Sequence, residues 1–114
     1  MSLQITIRML DDLTLLDLDG RVVLGADTES LGRALQDAIA KGARKLIINM
    51  KRVSQVDTSG ISTIVRAFVS MQRLGGKFAL AHLSDRVRQV LDMTRLLNVI
   101  PNYADEAEAI ARLR

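Results

Sequence analysis

A chain of 114 residues without cysteine, whose only aromatics are Phe68, Phe78 and Tyr103, is sized for one domain with an aliphatic core and excludes disulfide and thiolate chemistry. It is 48% apolar and 25% charged, as globular proteins are. It has no apolar run near the roughly 18 residues of a membrane span and no secretory leader pattern, so a single cytoplasmic domain over residues 1–114, without membrane insertion, is expected. The net charge is only +3, the arginines are scattered among acidic residues, and stacking platforms are scarce, so direct nucleic-acid binding is not expected.

Along the chain, Leu3, Ile5 and Ile7 alternate with polar residues, the period of a half-buried strand. Asp11-Asp12 punctuates a turn. Residues 13–19 form a second strand, and the pair reads as an antiparallel hairpin. Gly20 breaks or bulges that strand, which residues 21–24 extend. Asp27 or Thr28 caps a first helix with Leu31, Leu35 and Ile39 inward, and Gly42 stops it. Residues 45–50 are apolar on both faces, as a central parallel strand is. A loop over 51–56 follows.

A second helix then carries Ile61, Ile64, Val65 and Phe68 on one face and ends before Gly75-Gly76. Residues 78–81 are the next strand. Ser84 or Asp85 caps a third helix with Val87, Val90 and Leu91 inward. Residues 98–100 read as a short edge strand ended by Pro101, and Asp105 caps a final helix. Strands joined by helices pair in parallel. The fold expected is therefore α/β: a mixed sheet with an initial antiparallel hairpin, then parallel strands, and about four helices packed largely on one face.

The most informative segment is Asp57-Thr58-Ser59-Gly60, between the central strand and the second helix. It puts two hydroxyls and a carboxylate at a helix N-terminus, where unpaired N–H groups and a partial positive charge favour an anion. A hydroxyl there can carry a phosphate without breaking the helix. The same residue types are also ordinary N-caps.

Signatures of catalysis are scarce. His82 is the only histidine and follows an apolar strand, with no cysteine or second histidine to complete a metal site, so it reads as structural. Gly20 and Gly75-Gly76 belong to no phosphate-cradling pattern. The carboxylate pairs Asp11/Asp12 and Asp17/Asp19 read as solvated hairpin residues, and the scattered methionines as core filler. No enzyme and no cofactor is expected.

Strand, loop, Asp57-Thr58-Ser59-Gly60, Ile61 and an amphipathic helix together resemble the STAS domain of bacterial anti-sigma-factor antagonists. The similarity covers essentially the whole chain. Ala43-Arg44-Lys45-Leu46-Ile47-Ile48-Asn49-Met50 looks like the family's central strand, and Val87-Arg88-Gln89-Val90-Leu91-Asp92-Met93-Thr94 is similar to its third helix. The tail through Val99, Pro101, Tyr103, Glu106 and Ala107 is also family-like.

The resemblance implies a cytoplasmic partner switch. Unphosphorylated, such a protein binds an anti-sigma factor that is also a GHKL-type serine kinase. The kinase phosphorylates a hydroxyl of the motif and is released, and a PP2C-type phosphatase resets the protein. The implied acceptor is Ser59, with Thr58 as the alternative. The implied partner-binding residues are Asp57, Thr58, Ser59, Gly60, Ile61, Ser62 and Asp27. Arg66, Gln72 and Arg73 on the second helix, with Lys51-Arg52 before the motif, would border that surface. Many antagonists carry Gly-Leu-Gly after the hydroxyls. Here Gly60-Ile61-Ser62 stands instead, which puts Ser62 in the first helical turn. STAS-like domains also serve as scaffolds in signalling complexes or as subunits of lipid or anion transport systems, in which Ser59 is only a cap.

Overall fold

Alternating apolar residues set the first half of the sheet. The computed structural model describes residues 2–114. In it β1 (Gln4–Leu10) runs antiparallel to β2 (Leu13–Val22). Then come α1 (Ala26–Ala40), β3 (Lys45–Val56), α2 (Thr58–Arg73), β4 (Lys77–Ala81), α3 (Asp85–Met93), a 3-10 turn (Leu96–Asn98), β5 (Asn102–Tyr103) and α4 (Glu106–Leu113). The sheet order is β1-β2-β3-β4-β5, parallel from β2 onward. This is the expected α/β mixed sheet.

The central strand is buried on both sides because helices cover both sides. Leu46, Ile48 and Met50 join Leu31, Leu35, Ile64, Phe68, Met71, Val87 and Leu91 in one core, beneath α1, α2 and α3. Phe68 meets Phe78 edge-on, with ring centroids 5.8 Å apart. Ile47 faces the other way and packs with Leu13, Leu15, Ala79, Ala109 and Leu113, beneath α4. Three helices thus share one face and α4 alone covers the second.

Three expectations about local structure are corrected. The N-cap of α1 is Gly25, not Asp27 or Thr28. Gly25 sits at φ 114°, a region glycine enters without strain. The first turn closes on its carbonyl, which accepts the Glu29 N–H and the Thr28 hydroxyl. Asp27 has no capping role because its carboxylate accepts the Leu3 N–H at 3.0 Å.

Residues 51–56 are not a loop. They continue β3 beside the end of β2, where Arg21 pairs with Gln55 and Val22 with Val56. A register shift beside Gly20 absorbs the irregularity, so the bulge expected there is present and β2 ends at Val22. Residues 98–100 are not a strand. Val99 N–H closes the 3-10 turn onto the Leu96 carbonyl, which also accepts the Ile100 N–H, and the edge strand lies beyond Pro101. Pro101 has no N–H to give, but its carbonyl accepts the Leu80 N–H at 2.9 Å.

Candidate functional site

Two parallel neighbours, β2 and β3, end side by side, so the turns that follow them meet. Asp57 leaves β3 with extended backbone and caps α2. Its N–H is held by the Val22 carbonyl at 3.2 Å. One carboxylate oxygen, Oδ1, accepts the Gly60 N–H at 3.0 Å and the Ser59 hydroxyl at 2.7 Å. The other, Oδ2, reaches across to the Leu24 N–H at 2.9 Å. One side chain therefore caps the helix, orients the serine and ties down the turn after β2.

The two hydroxyls of the motif differ. Ser59 is half-buried and bound to Asp57, whereas Thr58 is exposed and has no side-chain hydrogen bond among the described residues. Gly60 and Ile61 face inward. Ile61 is 7% exposed and belongs to the core, so it offers a partner little surface. The space around Gly60 is closed by Val22 and Val56.

Ser59 and Ser62 open on a groove of about 590 Å³ between α1 and α2, walled also by Leu24, Thr28, Arg33 and Arg66. Arg33 and Arg66 are in no ion pair among the described residues. Asp27 does not line the groove. Lys51 and Arg52 belong to β3 and border a separate polar groove with Arg8, Asp17 and Glu106, so the loop placement of these two cations is corrected as well. Gln72 and Arg73 are exposed near the far end of α2.

The motif's contact with Leu24 was not anticipated from the sequence. Leu24 is 80% exposed, an unusual position for a leucine next to a polar site. The signal available was topological: parallel neighbouring strands bring their following turns together, where binding residues gather.

His82 has a structural role. Its Nε2 accepts the Glu106 N–H at 3.1 Å, at the start of α4, from a backbone φ of 59°. No group of three or more His, Cys, Asp or Glu able to hold a metal occurs among the described residues. None of the described helices is long and apolar enough to cross a membrane.

The Ser59 hydroxyl holds the Asp57 carboxyl below its usual 3.8; burial opposes it, and the Gly60, Leu24 and Ser59 amides add to the lowering. A folded pKa lowered in this way gives stability that is full above the unfolded value and lost as pH falls through the folded one. The window lies below about pH 4. Asp57→Ala should cost about 1 kcal/mol at pH 7, the worth of a helix cap. It should also flatten the acid limb of stability below about pH 4. Urea midpoints at neutral and acid pH test this. An acid limb as steep in the variant as in the parent would show that Asp57 is not linked to folding.

Comparison with known proteins gives the family. The STAS domain family model matches residues 4–109. A Bordetella bronchiseptica protein, BtrV, named as a candidate anti-sigma factor antagonist, is 25% identical over 109 residues, 96% of this chain and 92% of its own. The crystal structure of a candidate anti-sigma factor antagonist from Thermotoga maritima superposes with a TM-score of 0.87 at 23% identity, over 96% of this chain and 94% of that one. The Bacillus cell fate determinant SpoIIAA, solved in its phosphorylated form, gives 0.76 at 25% identity, over 97% and 100%. Proteins of this kind bind partners and are not enzymes. With the family's pattern present from the first strand to the last helix, the chain belongs to the STAS domain family and is related to anti-sigma factor antagonists.

Proposed function

We propose that this chain is an anti-sigma factor antagonist controlled by phosphorylation of Ser59. Unphosphorylated, it binds an anti-sigma factor that is also a GHKL-type serine kinase. The kinase transfers a phosphoryl group to Ser59 and lets go, and a PP2C-type phosphatase restores the binding form.

The observation that carries this reading is the setting of Ser59. Its hydroxyl is half-buried, oriented by Asp57 at 2.7 Å, at the N-terminus of a 16-residue helix and on the rim of a groove. A phosphate there meets the positive end of the helix, so the fold tolerates it. The charge instead alters the surface that a partner would cover. The proposed contact surface is Thr58, Ser59, Ser62, Arg66 and Leu24, with Asp27 at its margin; Asp57, Gly60 and Ile61 support it from beneath.

Intact-mass spectrometry tests the reading. The parent, Ser59→Ala and Thr58→Ala are incubated with a candidate anti-sigma serine kinase of the GHKL type and Mg-ATP. A single added phosphate, absent only from Ser59→Ala, is the expected result. Its absence only from Thr58→Ala moves the acceptor by one residue. An unmodified parent, with the kinase active on another substrate, favours the scaffold or transport-subunit role of the same fold.

A further inference from the structure

The outer strand β1 carries its own unpartnered surface. The two-residue turn Asp11-Asp12 makes Leu10 and Leu13 a hydrogen-bonded pair. By alternation, Gln4, Thr6, Arg8 and Leu10 spend their backbone groups on β2. Ile5, Ile7 and Met9 direct theirs off the sheet edge.

The side chains of those three residues lie on the α1 face, opposite Leu18, Leu16 and Thr14. The helix does not cover them fully: Ile7 is 49% and Met9 68% exposed. They border an open groove of about 390 Å³ beside the C-terminal half of α1. Among the described residues, nothing protects this edge in the usual ways. It has no proline, no lysine and no bulge against β2. Its one charge, Arg8, is engaged by Asp17 and Glu106 on the opposite face.

We propose that a second copy of this chain pairs with the first through β1, antiparallel about a two-fold axis at Ile7. In that register Ile7 meets Ile7 of the second copy, and Ile5 meets its Met9. These are the residues with free backbone groups, so each of the three pairs exchanges two hydrogen bonds. Apolar meets apolar along the α1 face. On the other face Arg8 meets Thr6, so no like charges oppose.

Neighbouring registers are worse. An axis at Met9 sets Ile7 against Asp11, and an axis at Ile5 sets Ile7 against the buried Leu3. An axis at Arg8 sets the two Arg8 side chains against each other, and an axis at Thr6 sets Met9 against the buried Leu3. The paired sheets form one continuous sheet. Ser59 lies beyond β3, two strands inward, so the pairing does not depend on the switch.

The chain lacks cysteine, so single introduced thiols report the register. Ile7→Cys places its thiol opposite its own copy, with Cα atoms about 5.5 Å apart, within disulfide reach. Met9→Cys places the two copies roughly 13 Å apart, out of reach. Under mild oxidation Ile7→Cys should become a covalent dimer and Met9→Cys should not. Mixed Ile5→Cys and Met9→Cys chains should cross-link to each other.

By sedimentation the unaltered chain should approach twice its 12.6 kDa at submillimolar concentration. Ile7→Pro should be monomeric with unchanged circular dichroism, since alternation turns that N–H away from β2. If Ile7→Pro does not fold, the thiol series still decides. A chain that stays monomeric, or an Ile7→Cys that cross-links no faster than Met9→Cys, would overturn the proposal. Association through β1 only with another protein's strand would overturn it too.

Discussion

Gly60→Ala should destabilise the protein by about 3 kcal/mol, near the upper end of overpacking costs, although the same change in a helix ordinarily helps. Alanine is favoured over glycine by about 1 kcal/mol in a free helix. At residue 60 the added Cβ would sit 2.5 Å from the Val22 carbonyl oxygen, 2.8 Å from Val22 Cγ1 and 3.1 Å from Val56 Cγ1. None of these can step aside cheaply. The carbonyl already accepts the Asp57 N–H. Both valines are β-branched, and they pair at the joined ends of β2 and β3. The start of α2 would have to lift from the sheet, taking Ser59 and the cap with it.

Gly32→Ala supplies the opposite sign. Gly32 lies in α1 with ordinary backbone, and its nearest new neighbour is Thr63 Cγ2 at 3.7 Å, a normal contact. That variant should gain about 0.5–1 kcal/mol. Urea midpoints measure both: the first should fall by roughly 1–3 M at unchanged slope, and the second should rise. A Gly60→Ala protein as stable as the parent would remove the packing account of the motif's glycine.

The motif's last residue is therefore dictated by packing, a constraint only partly legible in the chain. Periodicity exposed the elements with one buried face. Leu31, Leu35 and Ile39 on α1 and Ile61, Ile64 and Phe68 on α2 are buried as their spacing requires. Residues 45–50 read as doubly buried because Leu46, Ile47 and Ile48 leave no polar face.

What escaped were decisions made by distant partners. Asp27-Thr28 has the composition of a cap, but the Leu3 amide takes the Asp27 carboxylate and Gly25 is left to open the helix. Residues 51–56 alternate too loosely to announce a strand, yet the end of β2 offers them a ladder. Asp57 was readable as a cap. Its grip on Leu24, 33 residues away in sequence, depends on how β2 and β3 sit together.

The same grip shapes the second large effect, on the proposed reading of Ser59. Phosphorylated Ser59 should bind the anti-sigma partner at least about 100-fold more weakly than the parent, with little change in the fold. The phosphate adds about −1.5 to −2 charges. Toward the helix that charge is favourable by about 0.3–1 kcal/mol, which offsets part of its repulsion from Asp57. Toward a docked surface it has no such compensation. Like charges brought together across an interface cost several kcal/mol, and about 2.7 kcal/mol is already 100-fold.

Ser59→Ala should bind within about threefold of the parent, because surface changes that leave the framework intact cost little. Asp57 loses one hydrogen-bond donor there but keeps Gly60 and Leu24. Ser59→Asp brings about half the charge and should bind roughly tenfold more weakly, an imperfect mimic. Isothermal titration against the partner ranks the three forms, and thermal midpoints of parent and phosphoprotein check the fold. The loss should shrink as salt rises, because exposed charges are screened within about 8 Å at physiological ionic strength. A Ser59→Asp variant that bound as tightly as the parent at low salt would leave charge without a role. Phosphorylation would then have to act through shape: the added group filling the groove beside Ser62, or breaking the Ser59–Asp57 bond that also fixes Leu24.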